Sequence, residues 1–282
     1  MNSIADSPSA AQACDAKQLY LDVLKKVLTR SIGGEALEEV LYQRQTWQRL
    51  VTSPVSWLLD LKGYCLARRV TFDPRAREEG EDWPAAAETM IGLKRLTNLE
   101  TCAIDVLSRQ VPGDFIETGV WRGGACIFMR AVLKAYGDKT RRVWVADSFE
   151  GLPKPVLQTD KQWRFWRYRE LCVSQQQVEQ NFSKYGLLDE QVRFLKGWFK
   201  DTLTNAPIET LSLMRLDGDL YESTRDALCA LYPRLSQGGY VIIDDYVIPS
   251  CREAVEDYRK RHQITDPIQA IDKSGIYWKK YC

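Results

Sequence analysis

The chain has 282 residues, 45% of them hydrophobic and 27% charged, with a formal net charge of +1. That much apolar sequence can bury a substantial core, as one large α/β domain or two small ones. The near-neutral balance offers no basic footprint for nucleic acid or an anionic membrane, so neither is expected as a partner.

The opening "MNSIADSPSAAQ" lacks a charged stretch followed by an apolar core, so it does not read as a secretory signal. Residues 1–15 are expected to be disordered. Leu19, Val23 and Val27, with Leu24 and Leu28, then recur at helical spacing. Residues 55–70 and 85–107 also read as helical, with Pro84 suited to a first turn. Residues 16–110 are therefore expected to form a helical cap that walls off a pocket, packed as one unit with a core of residues 111–282. No run reaches the roughly 18 apolar residues of a membrane span. Eight cysteines lie singly without C-x-x-C spacing, and His262 is the only histidine, so there is no Cys/His metal pattern. Most of the cysteines read as small buried apolar residues in a reducing compartment, which points to the cytoplasm.

From Asp114 the pattern changes. "DFIETG", "RVWVAD", "VRFLKG", "LSLMRLD" and "GYVIIDD" are short β-branched or aromatic runs, each ending at a polar or glycine residue. Helical stretches separate them at about 125–136, 178–185 and 223–235. Alternating strand and helix predicts a mostly parallel sheet covered on both faces. A helix near 252–261 precedes "GIYWKKY", which reads as one more strand. Too few residues separate the two for a helical crossover, so this strand is expected to run antiparallel.

Open α/β sheets bind ligands outside the carboxyl ends of their strands. Here those ends carry Glu117 and Gly119, then Asp147-Ser148, Lys196-Gly197-Trp198, Asp217-Gly218-Asp219 and Asp244-Asp245. The first loop reads G-V-W-R-G-G rather than G-x-G-x-x-G, which disfavours a pyrophosphate and with it an NAD-binding oxidoreductase. A ligand with an ammonium, a carboxylate and a sulfonium suits it better. Gly119 permits close approach, the next helix N-terminus can take the carboxylate, and Glu117 offers an acceptor. That describes S-adenosylmethionine. Asp147 lies 30 residues after Glu117, about one βαβ unit on, where an acid commonly accepts from ribose hydroxyls. Alternatively, Asp147 and Ser148 cap the following turn.

Asp217, Asp244 and Asp245 close adjacent strands, whose ends lie about 5 Å apart. Three carboxylates that near would repel and raise one another's pKa, a conflict that a divalent cation removes. All-oxygen ligands favour Mg²⁺, Mn²⁺ or Ca²⁺, and Mg²⁺ keeps positions open for substrate oxygens. The alternative is that Asp245 faces outward or pairs with Arg252 or Arg215.

Together "FIETGVWRGGACIFMRAVLKAYG", "VWVADSFEGLPKP", "VRFLKGWFKDTL", "LDGDLYESTRDAL" and "GGYVIIDDYVIPSCREAVEDYR" resemble the macrocin O-methyltransferase (TylF-like) family. Its members include sugar O-methyltransferases of macrolide and aminocoumarin antibiotic pathways, and the resemblance runs from about Glu79 to Trp278. It implies a class I methyltransferase fold with a mostly parallel seven-stranded sheet, S-adenosylmethionine, Mg²⁺ and a homo-oligomer. It assigns Glu117, Gly119 and Asp147 to the cofactor site, with Ser148 beside them and Gly197 and Trp198 near the adenine. Thr89 and Met90 would lie over the methionine end, and Asp217, Asp244 and Asp245 would hold the metal. Residues 1–78 are longer than, and less like, their counterparts. The chain also lacks the histidine that some members carry after "EGLPKP", so His262, on a late helix, is not expected to act as a base.

The expected reaction is S-adenosylmethionine- and Mg²⁺-dependent methylation of a hydroxyl on a small-molecule natural product, foremost a sugar hydroxyl of a glycosylated secondary metabolite. The acceptor is expected to be a glycoside or a compound with vicinal oxygens. Asp217 is the first candidate proton acceptor and Asp219 the second. A catechol or phenol O-methyltransferase and a non-catalytic cofactor-binding module are the alternatives. The segment "KQWRFWRYRE" is expected to be either a lid over the acceptor or a surface helix packed on the N-terminal helices.

Overall fold

A computed structural model describes residues 15–32, 37–39, 58–59, 61–65, 67–69 and 71–281. The expected disorder of residues 1–14 lies outside this range. Asp15 is ordered, because its side chain caps helix α1 (Ala16–Leu28) by accepting from the Lys17 N–H at 3.1 Å.

Seven strands form the main sheet. β3 (Asp114–Thr118), β4 (Val143–Asp147), β5 (Val192–Lys196), β6 (Leu211–Leu216) and β7 (Leu235–Ile243) run parallel in the order β5-β4-β3-β6-β7. The short β8 (Gln269–Ala270) and β9 (Ile276–Lys279) extend it, and β9 pairs antiparallel with β7, as its short connection predicts. Alternating strand residues feed two cores, one on each face. Phe115, Val143, Val145 and Leu213 point to one, and Ile116, Trp144, Ala146, Met214 and Ile243 to the other. This two-sided burial is why the strands read as continuous apolar runs. All six residues of β6 are buried, including Arg215.

On the first face, helix α4 (Gly124–Ala135) is enclosed along most of its length by α1 and α3 (Leu93–Ser108). On the second face lie α7 (Tyr221–Leu231) and α8 (Pro249–Arg261), α8 opening with Pro249 at its first turn. The remaining helices are α2 (Pro74–Glu79), α5 (Gln175–Lys184) and the single turn α6 (Phe199–Thr202). No helix among the described residues is long and apolar enough to cross a membrane.

Two helical expectations fail in part. Within residues 55–70, Leu58 and Leu59 are helical but Ala67–Arg69 is a strand, β2, paired antiparallel with β1 (Leu37–Glu39), while 55–57, 60, 66 and 70 lie outside the described residues. The helix expected from Ala85 begins only at Leu93. The cause is a close backbone crossing. A side-chain carbon on Gly92 would lie 2.3 Å from the Glu78 carbonyl, and one on Gly80 2.6 Å from the Gly92 nitrogen. Residues 84–92 form an irregular loop instead. The cysteines also differ from expectation, since Cys102, Cys126 and Cys251 are buried but Cys65, Cys172 and Cys229 are exposed.

Candidate active site

β3 is flanked by β4 on one side and β6 on the other, so the connections leave in opposite directions and open a crevice at their carboxyl ends. A cavity of about 450 Å³ occupies this switch point. Of the residues singled out in the sequence, Thr89, Met90, Glu117, Gly119, Asp147, Ser148, Trp198, Asp217, Asp219, Asp244 and Asp245 all line it. Gly197 does not. Its N–H bonds the Asp147 carbonyl at 2.9 Å, and a side chain there would strike Thr202.

Gly119 lines the cavity, yet the space left by its missing side chain belongs to the protein. With φ of +79°, it would place a Cβ 1.9 Å from the Asp217 carbonyl oxygen, so the residue is needed for β3 and β6 to pass each other. Asp147 fits the capping reading and also lines the cavity. One carboxylate oxygen accepts from the Val120 N–H and the other from the Phe149 N–H, each at 2.7 Å, so it fastens two loops while facing the cavity. Burial nevertheless raises its pKa against the pull of those N–H groups. Ser148 turns back to the Gly151 carbonyl at 2.7 Å.

Glu117 is less available than expected. It sits in register with Arg215 on β6 and forms an ion pair with that guanidinium, while its second oxygen accepts from the Cys126 thiol at 2.9 Å. Burial pushes its carboxyl up to about 7, against the lowering effect of Arg215.

Arg215 organises the acidic side of the cavity. The same guanidinium bonds Asp217 at 2.9 Å and also pairs with Asp244. Arg95, from the first turn of α3, reaches the other Asp244 oxygen at 2.7 Å and bonds Asp272 at 2.7 Å. Although burial pushes the Asp244 carboxyl up, Arg215 and Arg95 hold it below its usual range as an anion. Asp217 and Asp245 go the other way, through burial first and then neighbouring negative charge, and the Asp245 carboxyl hydrogen-bonds to Asp217. Ligand oxygens of Asp217, Asp244 and Asp245 lie within 4.8 Å of one another. Asp245 therefore faces its neighbours, and the alternative pairing with Arg252 or Arg215 is not formed; Arg252 bonds the Tyr246 carbonyl instead. Asp219 adopts a left-handed backbone with φ of +56° and lines the cavity. Burial, then the charges of Asp217 and Asp244, lift its carboxyl to about 8.

The aromatic and arginine-rich segment forms two 3₁₀ turns, at Phe165–Arg167 and Arg169–Leu171. Phe165 stacks on Trp163 with ring centres 5.4 Å apart, and it lines the cavity with Leu171. Upstream, buried Asp160 caps α7 by accepting from the Tyr221 N–H at 3.0 Å. The segment is thus not a regular helix: Phe165 reaches the cavity, while Trp166 and Tyr168 are exposed. Arg95 and Asp272 escaped the sequence reading altogether, and Arg215 entered it only as a partner for Asp245. For Arg215 a signal existed, since it is the lone charge within an otherwise apolar strand. Arg95 and Asp272 offer none, being 177 residues apart.

The chain matches the family profile described as Macrocin-O-methyltransferase (TylF) over residues 17–280. It is 52% identical over 270 residues to the 8-demethyl-8-(2,3-dimethoxy-alpha-L-rhamnosyl)-tetracenomycin-C 4'-O-methyltransferase of Streptomyces olivaceus, covering 94% of both chains. It is 49% identical over 269 residues to the mycinamicin III 3''-O-methyltransferase of Micromonospora griseorubida, covering 93% of this chain and 96% of the relative. Among solved structures, the O-methyltransferase NovP superposes with a TM-score of 0.81 at 46% identity, over 94% of this chain and all of its own. Matching sequence over nearly the whole length and a shared class I methyltransferase sheet lead to one conclusion: the chain belongs to the macrocin O-methyltransferase (TylF) family and is an O-methyltransferase.

Proposed function

We propose that the protein transfers a methyl group from S-adenosylmethionine to a sugar hydroxyl of a glycosylated small molecule, with Mg²⁺ as an essential ion. The observation that carries this reading is the Asp217–Asp244–Asp245 cluster, which shares one cavity with Glu117 and Asp147. The tetracenomycin and mycinamicin relatives support a sugar acceptor, the first carrying a rhamnosyl group in its substrate name.

The residues fit a divalent ion. Asp245 has a buried carboxylate oxygen without a hydrogen-bond partner, and the donor set is all oxygen. Asp217, Asp244 and Asp245 would hold the ion, whose chemistry is Lewis-acid polarisation of a bound hydroxyl. S-adenosylmethionine supplies an electrophilic methyl on a sulfonium. Asp147, Trp198, Thr89 and Met90 would surround it, with Glu117 and Gly119 forming its floor.

Asp219 is better suited than Asp217 to take the hydroxyl proton. Asp217 is bound to Arg215 and Asp245, whereas Asp219 has no hydrogen-bond partner among the described residues and faces the cavity. A base must reach the proton it removes, and Asp219, its carboxyl lifted to about 8, can accept that proton whenever it is ionised. Residues 16–110 and the wall at 163–171 would shape the acceptor side.

Methyl transfer from labelled S-adenosylmethionine to a panel of glycosides and catechols tests the reading. Mg²⁺-dependent labelling of a glycoside is expected. Full activity in EDTA would eliminate the metal, and labelling of catechols alone would eliminate the sugar acceptor.

A further inference from the structure

The turn Trp121-Arg122-Gly123-Gly124 joins β3 to α4, and the chemistry above makes no use of its side chains. The loop 84–92 lies against it. Arg122 Nη1 donates to the Ala85 and Ala87 carbonyls at 2.5 and 2.8 Å, with the Pro84 carbonyl at 3.5 Å. Arg30 Nε donates to the Ala86 carbonyl at 3.0 Å, and the Gly124 N–H to the Glu88 carbonyl at 3.0 Å. Gly124 leaves no room for a side chain, since a Cβ there would sit 2.6 Å from both the Glu88 oxygen and the Thr89 Cβ. In a loop without regular structure the carbonyls at 84–88 thus accept one after another, three of them from one guanidinium nitrogen. Thr89 and Met90 follow at once and line the cavity.

The same turn holds the opposite wall. Trp121 adopts φ of +48°, unusual for a bulky residue, and its indole N–H donates to the Glu170 carbonyl at 2.8 Å. The Arg122 guanidinium lies 4.1 Å from the Trp121 ring centre, coupling the two fasteners.

We propose that Arg122 is a positioning residue that latches the 84–90 loop against the start of α4, holding Thr89 and Met90 over the methyl donor. Release of the cofactor then requires the latch to open. The inference rests on the cofactor site proposed above. Arginine suits the task because its rigid planar guanidinium can stack on Trp121 while fixing Nη1 among these carbonyls, whereas lysine's flexible ammonium does not stack in that way.

The test measures S-adenosylhomocysteine affinity and dissociation rate, and Mg²⁺ affinity without cofactor, in the wild type, Arg122→Met and Arg122→Lys. Loss of charge-assisted bonds to two carbonyls should weaken S-adenosylhomocysteine binding roughly tenfold or more in Arg122→Met, mainly through faster release. The KM for S-adenosylmethionine should rise more than kcat falls. Mg²⁺ affinity should stay within about twofold, because the latch does not touch the carboxylate cluster. Arg122→Lys should recover only part of the loss. Unchanged release in Arg122→Met, or an equal loss of Mg²⁺ affinity, would overturn the latch. Failure of the wild type to bind S-adenosylhomocysteine would instead overturn the functional reading. Should Arg122→Met not fold, hydrogen exchange on the wild type decides: peptides spanning 84–92 and 120–124 should gain protection together when S-adenosylhomocysteine saturates the protein. Protection gained by only one of them would overturn the proposal.

Discussion

Arg215→Met isolates the electrostatic centre of the site. Methionine keeps much of the length and flexibility of the side chain while removing its charge. Arg215 and its partners Glu117 and Asp244 are almost wholly buried, with side-chain exposures of 2%, 3% and 6%, while Asp217 is 23% exposed toward the cavity. Removing one partner of a buried ion pair typically costs about 3–5 kcal/mol, because a charge remains desolvated and uncompensated. The more exposed Asp217 adds little to that sum. At about 2 °C or a little more per kcal/mol for a chain of this size, the melting temperature should drop by about 10 °C in EDTA.

The deficit should also depend on pH, with a definite sign. Arg215 lowers the pKa of Glu117, Asp217 and Asp244, so its loss raises all three in the folded state. The folded variant then binds more protons than the folded wild type, so the stability gap between them grows as pH rises through the range where these carboxyls titrate. The gap from wild type should therefore be wider near about pH 8 than near about pH 5. Mg²⁺ should raise the melting temperature of the variant more than that of the wild type, since the ion supplies the missing positive charge. Calorimetric scans at two pH values, in EDTA and in Mg²⁺, read all three effects. A loss of only a degree or two in EDTA near the higher pH would refute the reasoning.

Asp245→Asn removes the ligand with the unpaired buried oxygen, and calorimetry should record at least about a tenfold loss of Mg²⁺ affinity with the fold retained. Asp219→Asn should lower kcat by about 10²–10⁴, the usual contribution of a general base, with S-adenosylhomocysteine affinity nearly unchanged. Gly119→Ala pits a methyl group against the Asp217 carbonyl at a left-handed backbone position. Thermal denaturation should show a loss of roughly 3 kcal/mol or more, or an insoluble chain, because neither strand backbone can yield cheaply.

The candidate site was largely legible because strand ends announce themselves. An apolar run that stops at Glu117, Asp147, Asp217 or Asp244 marks both the strand and the group it presents at the sheet edge, so one pattern reports fold and site together. Misreadings cluster where a residue's role depends on what lies across from it. Gly119 looks like room for a ligand until β6 passes beside it. The resemblance places Gly197 with Trp198 near the adenine, yet Gly197 does not line the cavity and its own surroundings are Thr202 and the Asp147 carbonyl. Residues 85–92 carry a helical pattern that loses to the Gly80–Gly92 crossing and to the carbonyl bonds made by Arg122, Arg30 and Gly124.

The sequence by itself determined the strand and helix alternation, the family, and the acids gathered at the carboxyl edge of the sheet. The alternation and the placement of the acids follow from side-chain period and local chain direction, which a single run of residues contains, whereas the family follows from the resemblance of its motifs. Only the tertiary structure decided which acids pair with arginine, which meet another carboxyl and which lines the cavity without a hydrogen-bond partner among the described residues. Arg215 meets Glu117 across 98 residues, and Arg95 reaches Asp244 across 149. Protonation in a buried cluster depends on distance and desolvation among groups brought together by folding, and no local pattern of residues encodes those quantities.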